Sequence, residues 1–410
     1  MCIRDRLASA QFANPVKIID GGSSRFPTNL IVDDFNYDGS IDVISIDFPM
    51  FLLDNVNNGQ MELNTEIYFD ERYALKIGYN YNFKSGDLNG DNVPDLYSLG
   101  DYFVWLKNDG TGNFTFGDSI NIFSDNDKSI VVDINNDGWN EIVVNLEGSN
   151  NLNVLNIDSS GEFSMHSSII TDTSYSDFND FVFYDYNSDN LPDLFLSFYD
   201  RIEIYLNNSN NTFRFLERID YNQSGFKLKV LDFDNDSVVD IIGYGNDKVV
   251  LFKNQEVNWS AETILGLDET NDIYKLEIAD LDNNAKYELI ALKYTNQTKE
   301  LSVYANWESQ FSDTILVFDT TSILDFEIVE IDNNGSLDMV FLKIDEFVSY
   351  EQFSNIGWLA SEDLLNEDIE SDTSNFQLNL DDVIEINRSV SFQNIDSVSY
   401  THLRAHETTS

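Results

Sequence analysis

The chain has 410 residues, 23 basic and 73 acidic side chains, a formal net charge of −50 and a pI near 4.1. That charge argues strongly against nucleic acid and an anionic membrane surface as partners, because both would be repelled by the chain as a whole. It does not mean disorder, since 42% of residues are hydrophobic, with 30 Phe and 20 Tyr to build a core, and no run of about 18 apolar residues spans a membrane.

In chain order, residues 1–10 come first and stand apart. Met1 to Arg6, and residues 397–410 at the other end, resemble translated adapter DNA and are set outside the fold. Leu7-Ala8-Ser9-Ala10 carries the small-x-small pattern of a signal-peptidase site, which predicts export. Cys2, His402 and His406 fall in these ends, so the body, residues 11–396, keeps no Cys and only His166. Disulfide frameworks, thiolate zinc sites and Cys nucleophiles are thereby excluded. His166 sits in an alternating strand pattern, Phe163 to Ser168, and reads as an ordinary strand residue.

The body is a repeat. Asp34-Phe35-Asn36-Tyr37-Asp38-Gly39-Ser40-Ile41-Asp42 recurs at 87–95, 133–141, 185–193, 232–240, 280–288 and 330–338. First positions step by 53, 46, 52, 47, 48 and 50 residues. A degenerate eighth copy is expected at 379–385, after Trp358 and Phe376, with its loop shortened and no good metal site. Around each loop the pattern gives four strands. A short apolar run such as Leu30–Val32 precedes the loop, and a β-branched run such as Asp42–Ile46 follows it. A third run such as Phe103–Leu106 meets a tight turn, and a fourth starts at an aromatic: Phe114, Phe163, Phe213, Trp259 or Trp358.

Four strands per repeat of this length predict an all-β fold, a β-propeller of four-stranded blades. Residues 12–19 match a fourth strand that lacks its own first three, so they close the last blade and remove a sheet edge. Eight blades are expected, with residues 12–19 beside Val390–Gln393, because a seven-bladed ring would leave 376–396 unburied. Seven is the alternative, with residues 12–19 beside Phe347–Phe353.

Each nine-residue loop places oxygen side chains at positions 1, 3, 5 and 9 and a carbonyl at 7. The candidate metal ligands are Asp34, Asn36, Asp38 and Asp42; Asp87, Asn89, Asp91 and Asp95; Asp133, Asn135, Asp137 and Glu141; Asp185, Asn187, Asp189 and Asp193; Asp232, Asp234, Asp236 and Asp240; Asp280, Asp282, Asn284 and Glu288; and Glu330, Asp332, Asn334 and Asp338. Hard oxygens in a flexible loop suit Ca²⁺, and clustered carboxylates repel one another without a cation. Position 6 is Gly or Asn in five loops, as a positive φ requires. An EF-hand needs an acidic residue at position 12 and flanking helices; Ser45, Ser98, Val144 and Leu196 stand there, in strand-like runs. The sixth and seventh loops depart from the pattern, with Ala285 for the turn Gly and Glu330 for Asp.

The repeats resemble the FG-GAP/VCBS family, the calcium-loop propellers of integrin α-subunit heads and secreted bacterial proteins, over about residues 11–396. The resemblance implies Ca²⁺ between the first two strands of each blade, up to seven sites, and adhesion or ligand binding. The Phe-Gly and Gly-Ala-Pro motifs of the name are not evident, so integrin-type specificity is not implied. The expected function is a secreted or cell-surface binding module with an extracellular protein or glycan ligand. No catalytic constellation is visible, so no enzyme is expected. The alternatives are the propeller of a polysaccharide-active enzyme and a spacer in a multidomain surface protein.

Overall fold

Short β-branched and aromatic runs bounded by turn residues dictate strands, and strands are what they form. The computed structural model describes residues 16–359 apart from connecting stretches, of which 21–28, 68–82, 122–127, 146–151, 170–177 and 305–313 are the longest. The described residues form seven four-stranded antiparallel sheets, the blades of a β-propeller. Blade 1 holds Asn29–Asp33, Asp42–Ile46, Met50–Asn57 and Gln60–Ile67; blade 2, Phe83–Gly86, Asp95–Ser98, Tyr102–Asn108 and Phe114–Asn121. Blade 3 holds Ser129–Val132, Glu141–Asn145, Leu152–Ile157 and Phe163–Ile169; blade 4, Asp180–Tyr184, Asp193–Ser197, Arg201–Asn207 and Phe213–Asp220. Blade 5 holds Lys227–Leu231, Asp240–Gly245, Lys248–Asn254 and Trp259–Gly266; blade 6, Asp272–Ala279, Glu288–Thr295, Thr298–Tyr304 and Thr314–Phe318. Blade 7 holds Ile323–Val329, Asp338–Val348 and Glu351–Leu359, completed by Val16–Asp20 from the start of the chain.

Second strands are buried on both faces, as in Asp42–Ile46 and Asp193–Ser197, because each blade is sandwiched between two others. Fourth strands begin at Phe114, Phe163, Phe213 and Trp259, the predicted aromatics. Their pairing with the third strand slips by a residue at Val104/Leu106, Ile204/Tyr205 and Val249/Val250. Such bulges increase the local twist, which turns the outer edge of a blade away from its neighbour. In blade 3 the slip falls between Met165 and Ser167, so His166 is the extra residue of a bulge.

The core is divided among the interfaces between blades. One cluster joins blades 1 and 2 through Phe35, Ile44, Phe83 and Leu96, and equivalents follow around the ring. The last packs Leu30, Val43 and Leu53 of blade 1 against Ile331, Val340 and Leu342 of blade 7. The Leu30 amide also donates to Asp325 Oδ2 of blade 7 at 3.0 Å. These contacts close a ring of seven.

The expected closure needs correcting. Val16–Asp20 pairs with Glu351–Leu359, with Val16 opposite Trp358 and Asp20 opposite Asn355, not with Val390–Gln393. The reason is the length of blade 7's hairpin. Its second strand runs eleven residues, Asp338–Val348, so Trp358 falls at the end of the third strand and leaves the outer edge to the N-terminal strand. The repeat at 379–385, and all of 360–410, lies outside the described residues.

Candidate metal centre

Each acidic loop joins the first strand of a blade to the second, so all seven open at one mouth of the ring. First strands lie next to one another around the axis: Asn29 Nδ2 donates to the Phe83 carbonyl at 3.0 Å, and the Leu228 amide to Asp180 Oδ2 at 2.7 Å. The loops touch their neighbours too. Asn140 Nδ2 donates to the Asp87 carbonyl at 2.7 Å, and Asn235 Nδ2 to the Ala285 carbonyl at 3.0 Å.

Within a loop the backbone turns through the left-handed region twice. Position 6 has positive φ in all seven, from 62° at Ala285 to 89° at Gly39 and Gly335, as the Gly or Asn of five loops predicts and although Ser237 and Ala285 stand there in the other two. Position 4 does the same, at Tyr37, Gly90, Asn136, Ser188, Asn235, Asn283 and Asn333. The two reversals aim successive amides at the carboxylates. Asp34 accepts from the amides of Asp38 and Gly39 at 3.0 and 2.9 Å. Asp87, Asp133, Asp185, Asp232 and Asp280 accept from positions 5 and 6 of their own loops in the same way. Glu330 reaches the Gly335 amide at 2.6 Å. The position-5 amide is shared with position 3: Asp38 N lies 3.0 Å from Asn36 Oδ1, Asp91 N 3.0 Å from Asn89 Oδ1, and Asp189 N 2.9 Å from Asn187 Oδ1. Position 5 in turn accepts from position 7 at 2.7–3.1 Å, through Asp38, Asp91, Asp137, Asp189, Asp236, Asn284 and Asn334.

Position 9 is the buried end of each loop. Asp42, Asp95, Glu141, Asp193, Asp240, Glu288 and Asp338 are all buried. One oxygen accepts from the position-2 amide, as Asp42 Oδ2 does from Phe35 and Asp338 Oδ2 from Ile331, both at 3.0 Å. Burial pushes these carboxyls up, to about 7 at Asp42, Asp95 and Glu141 and to about 6 at Asp240. Asp193 and Asp332 are raised for the same reason.

The fifth loop tests whether these residues fit a cation. Ligand oxygens of Asp232, Asp234 and Asp240 lie within 4.8 Å of one another. Asp240 is fully buried, and its Oδ2 has no hydrogen-bond partner. An orphaned carboxylate oxygen beside two more carboxylates is costly without a positive charge, and hard anionic oxygens are what Ca²⁺ takes. The residues fit. Lys253 meets part of the charge, bonding Asp234 and lying 3.7 Å from Asp236 Oδ2. The third loop carries a second orphan, Asn135 Oδ1, while its Nδ2 donates to Glu141 Oε1 at 3.1 Å. The first four loops have Asn at position 3, so their carboxylates converge less than those of the fifth. Asp282 of the sixth loop lies outside the described residues.

Two sets of residues at the centre carry no sequence signal of metal binding. Asp54, from the third strand of blade 1, faces the first loop with a buried, unpartnered Oδ1 and is pushed up by burial, with Asn36 and Asp38 beside it. Buried Asn55, Asn108, Asn207 and Asn254 lie at or near the ends of third strands, and their backbone amides donate to position 9 at 2.7–2.8 Å. An Asn 13 or 14 residues after position 9 is the signal that marks them.

The FG-GAP-like repeat family matches residues 87–144, 133–196 and 185–242. Each match starts on a loop's first aspartate and ends in the second strand of the next blade. A search of curated proteins gives no match. Among solved structures, BBS1N in complex with ARL6DN is 11% identical, with a TM-score of 0.51 over 86% of this chain and 99% of that one. An Agrocybe aegerita lectin, from work on recognition of non-reducing terminal N-acetylglucosamine, is 14% identical, with a TM-score of 0.47 over 73% and 79%. A Lactobacillus plantarum protein is 13% identical, with a TM-score of 0.43 over 72% and 85%. At such identities the first likeness speaks to the fold alone. Residues 87–242 therefore carry three FG-GAP-like repeats, set in a β-propeller of four-stranded blades.

Proposed function

We propose that the protein is an extracellular, calcium-stabilised ligand-binding module. The observation that carries the calcium reading is the cluster of Asp232, Asp234 and Asp240, with ligand oxygens within 4.8 Å of one another and a buried, unpartnered Oδ2 on Asp240. Bound Ca²⁺ would neutralise the clustered carboxylates and hold the loops at their mouth of the ring. FG-GAP repeats are typical of extracellular proteins, and among the described residues no helix is long and apolar enough to cross a membrane. Calcium at extracellular concentrations suits such loops.

For the ligand, the opposite mouth offers a surface of different character. Tyr274 and Tyr294 stand 48% and 40% exposed, packed edge to face. Lys299 Nζ lies 4.6 Å from the Tyr274 ring centroid, and Lys227 Nζ 5.5 Å from the same ring. Their hydrogen bonds go to the carbonyls of Leu324 and Tyr274. Exposed aromatic faces stack on sugar rings, and two ammonium groups beside them favour a carboxylated or sulfated sugar. An array of neutral and acidic oligosaccharides, run with calcium, tests this. Binding of acidic members that Tyr274→Ala removes, at unchanged melting temperature, is the expected result. Equal silence across the array would leave the spacer reading, and hydrolysis of a member the enzyme reading.

A further inference from the structure

The third-strand asparagines do more than hold the carboxylates of their own loops. In the loops of blades 1 and 2, Asp95 Oδ1 accepts from the Asn108 amide at 2.8 Å, and Asn108 Nδ2 crosses to blade 1 and donates to the Phe35 carbonyl at 2.7 Å. The Phe35 amide then donates to Asp42 Oδ2 at 3.0 Å, and Asp42 Oδ1 accepts from the Asn55 amide at 2.8 Å. Asn55 Nδ2 crosses the seam of the ring to the Ile331 carbonyl at 2.6 Å, and the Ile331 amide donates to Asp338 Oδ2 at 3.0 Å. One buried chain of hydrogen bonds therefore links the position-9 carboxylates of loops 2, 1 and 7.

A second chain links loops 5, 4 and 3. Asp240 Oδ1 accepts from the Asn254 amide at 2.8 Å, and Asn254 Nδ2 donates to Tyr186 Oη at 3.1 Å. The Tyr186 amide donates to Asp193 Oδ2 at 3.0 Å, and Asp193 Oδ1 accepts from the Asn207 amide at 2.7 Å. Asn207 Nδ2 reaches the Ile134 carbonyl at 2.7 Å, and the Ile134 amide donates to Glu141 Oε2 at 2.9 Å. Position 2 is the hinge: its amide holds its own loop's carboxylate, while the carbonyls of Phe35, Ile331 and Ile134, and at Tyr186 the side-chain hydroxyl, meet the Asn of the next blade. Phe35 and Ile134 are also anchored in interblade cores, so a shift of one peptide is felt on both sides.

We infer that Asn55, Asn108, Asn207 and Asn254 are positioning residues that couple cation binding between neighbouring loops, in two groups, 2–1–7 and 5–4–3. The inference rests on the calcium reading of the loops. A cation that draws in Asp42 fixes the Phe35 peptide, and a fixed Phe35 carbonyl orients Asn108 and with it Asp95. The second loop is then partly ordered before its own ion arrives, which is positive coupling. The first group spans the junction between the N-terminal and C-terminal blades, so calcium in loop 1 also braces the ring where its closure depends on a strand borrowed from the start of the chain.

The test counts bound ions by native mass spectrometry at subsaturating Ca²⁺. Asp38→Asn removes an exposed carboxylate from loop 1 alone. In the parent chain it should cost more than one ion, because loops 2 and 7 weaken with loop 1, with affinities falling about 5- to 150-fold, the usual span of site coupling. With Asn55→Leu and Asn108→Leu in place, the same change should cost one ion. A loss of one ion in both backgrounds would overturn the relay while leaving the calcium reading intact. A parent chain that binds no calcium would overturn both. Should the leucine pair fail to fold, Asn55→Ser with Asn108→Ser, too short to span to the neighbouring carbonyls, takes its place with the same two outcomes.

Discussion

Loops 5 and 6 are neighbours on the ring and share one backbone path, yet their chemistry differs. Asp232 and Asp280 both accept from the amides of positions 5 and 6, at 2.7–3.0 Å. In loop 5 position 5 is Asp236 and the buried end is Asp240, whose Oδ2 is unpartnered. In loop 6 position 5 is Asn284, Ala285 is forced to a φ of 62°, and Glu288 Oε2 is met by the Leu281 amide at 2.9 Å. The turn is thus built by amides that a carboxylate at position 1, accepting on both oxygens, and any Asp or Asn at position 5 will satisfy. Capacity for a cation depends separately on how many carboxylate oxygens are left over.

The widest separation of the two loops should come from their buried ends. Calcium at a hundredfold excess over its dissociation constant stabilises by about 2.7 kcal/mol per site. Asp240→Ala should remove that gain and also leave the buried Asn254 amide without its acceptor, a further ~1–3 kcal/mol. Glu288→Ala should cost the Leu281 hydrogen bond but little of the calcium-dependent part. Thermal melts with millimolar Ca²⁺ and with chelator check this. Equal losses of the calcium-dependent shift in both variants would show that loop 6 binds as well as loop 5, and a parent melt unmoved by chelator would end the comparison.

A second separation is by pH. Burial raises Asp42, Asp95 and Glu141 to about 7 and Asp240 to about 6, against about 4 in an unfolded chain. The unfolded state therefore releases these protons first, so the stability they contribute is complete below about pH 4 and is lost as pH rises toward 7. Without calcium, the melting temperature should fall across that window. With calcium the ionised carboxylates are held by the ion, and the fall should flatten or reverse. Asp240→Asn should remove part of the pH slope in chelator. A slope identical to the parent's would mean that overall charge repulsion, not the loop ends, sets it.

Much of this was legible in the sequence, and the gaps have physical causes. Repeat spacing and the aromatic starts of fourth strands gave the blades, since strand pattern and turn chemistry are local. Blade 7 misled because Trp358 obeys the aromatic rule while sitting in a third strand, and nothing local announces an eleven-residue second strand. The carboxylates stood out by charge. Asn108 did not, because at the head of Asn108-Asp109-Gly110-Thr111-Gly112 it reads as a turn former, and its partner Phe35 lies 73 residues away. Asp54 was hidden likewise, one more acid among many until the fold set it beside Asn36 and Asp38.

The smallest expected effect sharpens the comparison most. An L-residue held at positive φ is strained, and Ala285 has no polar side chain to offset it, unlike Asn92 and Asn190 at the same position. Ala285→Gly should relieve the strain and stabilise loop 6 by about 1 kcal/mol, less the greater entropy glycine gains in the unfolded chain. In a chain of this size that moves the melt by under about 2 °C, and it should do so equally with calcium and with chelator, because no ligand changes. Asn284→Asp should act in reverse. Its Oδ1 keeps the bond from the Lys286 amide, now 2.8 Å, so the chelated melt should not rise, while the added carboxylate should create a calcium-dependent shift. If Ala285→Gly alone brought calcium dependence to loop 6, the path of the turn and not the carboxylate count would be what separates it from loop 5.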